Sequence, residues 1–84
     1  MDVDAVRELV EAEIEDASVD VVRDDHDDER SEGAHFGVSV VSPEFEGMSK
    51  VERHRRVHAA LDDHIGDEIH AVEIRARTPE EAEG

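Results

Sequence analysis

The chain has 84 residues, enough for one small domain and too few for a second independent core. Twenty-five acidic residues against nine basic ones give a formal net charge of -16, which argues against a general affinity for nucleic acid phosphates. With no cysteine, the chain forms no disulfide and offers no thiolate to a metal, so histidine nitrogen must serve any soft or borderline metal.

Only 37% of residues are hydrophobic, and Phe36 and Phe45 are the sole aromatics, so the expected core is Val, Ile, Leu and Ala with a thin stability margin. No apolar run approaches membrane-spanning length and no leader pattern precedes the first helix, which predicts a soluble, cytoplasmic chain. The apolar residues keep clear periods, which separates the chain from a disordered acidic tail. Self-repulsion at this charge weakens a compact state, and salt screens it. The surface therefore reads as adapted to high salt, and the melting temperature is expected to rise between dilute buffer and molar KCl. Equal melting curves in the two solvents contradict that expectation.

In chain order, Val3, Val6, Val10, Ile14 and Ala17, widened by Leu9, predict an amphipathic helix from about Val3 to Ala17, with Asp2 or Asp4 as its cap. Ser18 to Arg23 alternates as a strand. Asp24 to Gly33 is polar and charged and is expected to be a solvated loop. Phe36, Val38 and Val40 alternate on one face of a second strand that Val41 closes. Ser42-Pro43 breaks the pattern, and Gly47 lies in a connecting turn. Ser49 and Glu52 form a capping box that starts a second helix near Lys50. Its apolar stripe is expected to be Val51, His54, His58, Leu61 and Ile65, widened by Val57 and Ala60, with Gly66 as the stop. A third strand covers Ile69 to Arg75, and Thr78-Pro79-Glu80-Glu81 offers one capped helical turn before an acidic end expected to fray over residues 81–84.

The order α-β-β-α-β predicts an α+β domain over residues 1–80. Its first two strands pair antiparallel, the second and third pair parallel through a right-handed crossover, and helices cover one face of a three-stranded mixed sheet.

The residues Gly33-Ala34-His35-Phe36, Val40 through Gly47, Ser49 and Val51, Arg53-His54-Arg55-Arg56-Val57, Ile69 through Ile74, and Arg77-Thr78-Pro79-Glu80 resemble the BolA family in order and spacing. The resemblance runs from about Val21 to Glu80, while the first helix fits by position alone. It implies a fold akin to the type II KH domain and a partnership with a monothiol glutaredoxin, the two proteins sharing a bridging 2Fe–2S cluster. The glutaredoxin cysteine and a low-molecular-weight thiol would hold one side. The other side would take the histidine of the Ile-His-Ala strand, here His70, and a His or Cys from the loop between the first two strands, where His26 stands ten residues before Phe36. That loop departs from the usual Gly- or Pro-containing versions in being packed with Asp, Glu and Arg. Asp24, Asp25, Asp27 and Asp28 around His26 favour its protonated form, which opposes metal binding.

Read from the residues alone, His70 is a strand-end histidine bonded to backbone and His26 a solvated loop residue. His54 and His58 share a helical face at i and i+4, but the Glu of a zinc-protease motif is absent and arginines intervene, so they read as core or interface. His35 and His64 carry no pattern beyond the element ends they occupy. Lys50, Arg53, Arg55 and Arg56 concentrate positive charge on the second helix. They suit phosphates, an acidic patch on a glutaredoxin, or the chain's own acids. The net charge, the lack of stacking aromatics and the absence of a G-x-x-G loop weigh against nucleic acid. No nucleophile elbow, phosphate loop or informative carboxylate pair marks an enzyme. The expected roles are therefore cluster-sharing partner, DNA-binding transcriptional regulator, or adaptor that binds a glutaredoxin without any cluster. Whether two copies pair as a homodimer stays open.

Overall fold

A computed structural model describes residues 2–23, 34–66 and 69–83, with Ala34 and His70 described by their backbone. Helix α1 (Val3–Glu13) begins at Asp2, whose carboxylate accepts the Ala5 amide at 2.9 Å. It ends earlier than the apolar period suggests. Ile14 is already extended, and Asp16 sits at φ 52°, a left-handed conformation that turns the chain into β1 (Ser18–Arg23). Ile14 and Ala17 still face the core, Ile14 fully buried and Ala17 partly so, which is why they seemed to extend the helix.

β1 pairs antiparallel with β2 (Ala34–Val41), and β2 pairs parallel with β3 (Ile69–Arg77), giving the sheet order β1-β2-β3. The architecture is the expected α+β arrangement. Val19 from β1 and Phe36, Val38 and Val40 from β2 turn inward against Val6 and Val10 of α1 and against Ile14 just beyond it. Val57 and Leu61 of α2 (Lys50–Leu61) complete that layer. No described element covers the opposite sheet face, and Val22 on it is 64% exposed.

Between β2 and α2 a 3-10 turn spans Pro43–Phe45, an element not anticipated from sequence. Ser42, fully buried, both accepts the Glu44 amide at 3.1 Å and donates its hydroxyl to the Glu15 carbonyl at 2.8 Å. The Glu15 amide in turn donates to the Glu44 carboxylate at 2.6 Å. These bonds tie the α1–β1 turn to the β2–α2 turn, and Phe45 is driven to zero exposure beneath them. The capping box of α2 forms as expected, with Ser49 and Glu52 exchanging both bonds.

Two features of α2 correct the sequence reading. The helix ends at Leu61, four residues before Ile65, and Gly66 takes φ 92° in the following connection, where a side chain would be strained. The buried face carries Val57 and Leu61, with Arg53 nearly covered at its head. Val51 is 59% exposed and His54 is exposed as well, so the Val51–His54–His58 stripe faces outward.

β3 continues two residues past Arg75, and α3 (Pro79–Glu83) follows. Glu81, expected in the fraying end, completes a second capping box: it accepts the Thr78 amide at 2.8 Å while the Thr78 hydroxyl accepts the Glu81 amide at 3.2 Å. It also takes the Arg53 guanidinium at 2.6 Å, which clamps α3 to α2. The bond from Arg53, and next that from the Thr78 amide, hold the Glu81 carboxyl below its ordinary value. A lowered folded-state value stabilises the fold above the ordinary carboxylate range, and that contribution is lost as pH falls through the lowered value. Glu81→Gln should therefore melt below wild type at neutral pH, and the gap should close in acid. A gap that persists unchanged well below pH 4.5, the ordinary value, contradicts this role.

Candidate functional site

The start of β3 is fixed from both sides. The Ile69 amide donates to the His64 carbonyl at 3.0 Å, and the Ile69 carbonyl accepts the Gly66 amide at 2.8 Å. Ile69 itself is fully buried. On β2, neighbouring residues Ala34 and His35 pair with Ile69 and Ala71, so His70 is the extra residue of a β-bulge.

The bulge resets the strand's alternation. Ile69 faces the core, Ala71 is exposed, and Val72, Ile74 and Ala76 then pack inward opposite Phe36, Val38 and Val40. A strict period of two cannot place both Ile69 and Val72 on one face, so an extra residue between them is required. Bulges of this kind bend a strand and re-aim a residue at a sheet rim.

The same end of the sheet is where the acidic segment leaves and returns. β1 closes with Arg23 opposite Phe36, and β2 opens with Ala34 opposite Ile69. The ten-residue span 24–33 that carries His26 thus follows Arg23 on β1, one strand removed from β3, and joins β2 at Ala34, whose partner Ile69 directly precedes His70. His26 lies outside the described residues. Among the described residues, no group of three or more His, Cys, Asp or Glu gathers as a metal site.

The four basic residues singled out on α2 divide into two kinds. Arg53, with its side chain 11% exposed, donates to the Met48 carbonyl at 3.1 Å and the Ala76 carbonyl at 3.5 Å besides Glu81, and its guanidinium stands 6.0 Å over the Phe45 ring. Arg56 donates to the Glu13 carbonyl at 3.2 Å and pairs with Glu44 at 3.4 Å, holding the end of α1 against the 3-10 turn. Both are fastened into the fold. Lys50 and Arg55 are exposed and make no ion pair among the described residues.

His54 and His58 lie outside the core. Their rings stack with centroids 6.0 Å apart, and the His58 Nδ1 is 3.5 Å from the Asp62 carboxylate. Sequence reasoning missed the bulge at His70, the buried Ser42 knot and the second use of Glu81. The off-phase spacing of Ile69 and Val72 was the available signal for the first.

A bulged strand start on a mixed three-stranded sheet, with helices on one face, defines a small α+β domain. The family model described as BolA-like protein matches residues 7–81, and the chain belongs to that family. The human BolA-like protein 1 is 58% identical over 45 residues, which cover 54% of this chain and 33% of the relative. The matched region therefore spans about a third of that protein. A Haemophilus influenzae protein named DNA-binding transcriptional regulator BolA is 36% identical over 56 residues, covering 67% of this chain and 54% of the relative. The solved structure of a bolA protein homologue from Coxiella burnetii superposes with a TM-score of 0.79 at 29% identity, covering 100% of this chain and 99% of that one. No helix among the described residues is long and apolar enough to cross a membrane.

Proposed function

We propose that this chain binds a monothiol glutaredoxin and supplies the histidine side of a bridging 2Fe–2S cluster, with His70 as one ligand and His26 as the other. The observation that supports this reading is the bulge at His70, next to Ala34, where the segment that carries His26 joins β2. The donor chemistry suits the group. The chain has no thiolate of its own, neutral imidazole is a competent iron ligand, and histidines in place of thiolates on one iron raise the potential and make ligation depend on pH. The remaining ligands come from the partner cysteine and a low-molecular-weight thiol, so the role is binding rather than catalysis.

The test is to mix the protein with cluster-loaded monothiol glutaredoxin and record visible absorption and circular dichroism. A changed cluster spectrum on mixing is expected, and an unchanged one contradicts shared ligation. Binding without any spectral change identifies the adaptor role instead.

A second reading has its own support. The Haemophilus relative bears the name of a DNA-binding regulator, and Lys50 and Arg55 stand exposed on α2 without ion pairs among the described residues. On that reading a gel shift at matched salt shows some duplex bound more tightly than random DNA. Equal retention of all sequences removes it.

A further inference from the structure

Opposite charges are abundant in this molecule, yet several cations make no ion pair among the described residues. Lys50, Arg55, Arg75 and Arg77 have no acidic partner within 4.0 Å among the described residues, in a chain with 25 acids. Three of the four, Lys50, Arg75 and Arg77, line a single cleft of about 430 Å³. It lies at the outer edge of β3, walled by the first turn of α2 and by α3, with Arg53, His54 and Glu81 also on its surface. The Glu81 carboxylate is already neutralised by Arg53. The Nε of Arg77 is buried and has no hydrogen-bond partner.

Convergent unpaired cations repel one another, and an anion in the cleft offsets that repulsion. Arginine forks match phosphate oxygens in pairs, and a lysine adds a mobile point charge. Three free cations also suit a ligand with more than one negative charge. The surrounding field limits its size. Exposed Glu52 on α2 and Glu80 and Glu83 on α3 stand on the elements that frame the cleft. A long polyanion must lie across those acids, whereas a small one stays within the screening length of about 8 Å around the cations.

We propose that this cleft binds a small ligand through a terminal phosphate or diphosphate group, with Lys50, Arg75 and Arg77 as its anchors. Arg75 and Arg77 stand about 16 and 23 Å along β3 from His70, so the site is separate from the cluster-ligand end of the sheet.

Amide NMR titrations of the whole chain with inorganic phosphate and with pyrophosphate, against KCl at matched ionic strength, test the proposal. Saturable shifts are expected at the end of β3 and the start of α2, stronger for pyrophosphate. Lys50→Gln and Arg75→Gln replace exposed side chains and leave the fold intact, as a melt will verify. Each should weaken binding about tenfold, the loss of one charge-assisted contact, while Arg7→Gln on α1 leaves it unchanged. Shifts no larger than those in KCl, or variants that titrate like wild type, overturn the site. Tighter binding of random duplex DNA at the same amides also overturns it and assigns the cleft to nucleic acid.

Discussion

His70→Ala should abolish the spectral change seen on mixing with cluster-loaded glutaredoxin. The substitution removes one imidazole nitrogen from a site that has no thiolate on this chain to replace it. Losing even an outer-shell partner of a metal ligand typically costs 10–100-fold in metal affinity, so losing the ligand itself should cost about a hundredfold or more. The fold should hold, because the residues that fix this strand are its neighbours. Ile69 is bonded through its backbone to His64 and Gly66, and pairing with β2 resumes at Ala71. Melting temperature should therefore stay near that of wild type while the spectrum is lost. A variant that melts normally and gives the wild-type spectrum removes His70 from the ligand set. His26→Ala should weaken the same signal.

The largest expected effect on stability lies elsewhere. Phe45→Ala should cost about 3–5 kcal/mol, since Phe45 is fully buried at the junction of the 3-10 turn and α2 and leaves a cavity that Arg53 and the Ser42 knot cannot close. A domain of this length has about 4–12 kcal/mol in total, so the variant should be close to unfolding at ordinary temperatures. Its melting temperature should fall by more than about 10 °C. Val51→Ala is the matched contrast. Although Val51 carries part of the family resemblance, it is 59% exposed, and its removal should change stability by no more than about 0.5 kcal/mol. A loss from Val51→Ala as large as that expected for Phe45→Ala contradicts the outward placement of Val51 on α2.

That orientation shows where the sequence was readable and where it was not. Strand β1 and both capping boxes could be read because their signals are local: alternation over six residues, and a hydroxyl three positions before an acid. The buried face of α2 was hidden by chemistry. Arg53 occupies the inward stripe one turn before Val57, with its guanidinium over the Phe45 ring and bonded to the Met48 and Ala76 carbonyls, so an inward position looked like surface. The competing stripe of Val51, His54 and His58 has the right spacing but stands outside. The end of α1 was blurred for a related reason, since Ile14 and Ala17 pack inward from extended backbone.

The candidate site was legible by type and not by shape. Lack of cysteine directed attention to histidine, and the family resemblance selected His70 and His26. The bulge depends on strand register between β2 and β3, a pairing between residues far apart in the chain, and only the phase break between Ile69 and Val72 hints at it. The basic cluster was likewise visible as charge. Its division into fastened arginines and unpaired cations became apparent only with Glu13, Glu44 and Glu81 in place around it.

The most direct test of shared ligation labels only this chain's histidines with ¹⁵N, assembles the complex with cluster-loaded, unlabelled glutaredoxin, and records pulsed electron paramagnetic resonance of the reduced cluster. Strong couplings from directly bound ¹⁵N are predicted, diminished by His70→Ala. A cluster that shows no directly bound ¹⁵N in the intact complex contradicts the claim that this chain supplies the histidine half of the site.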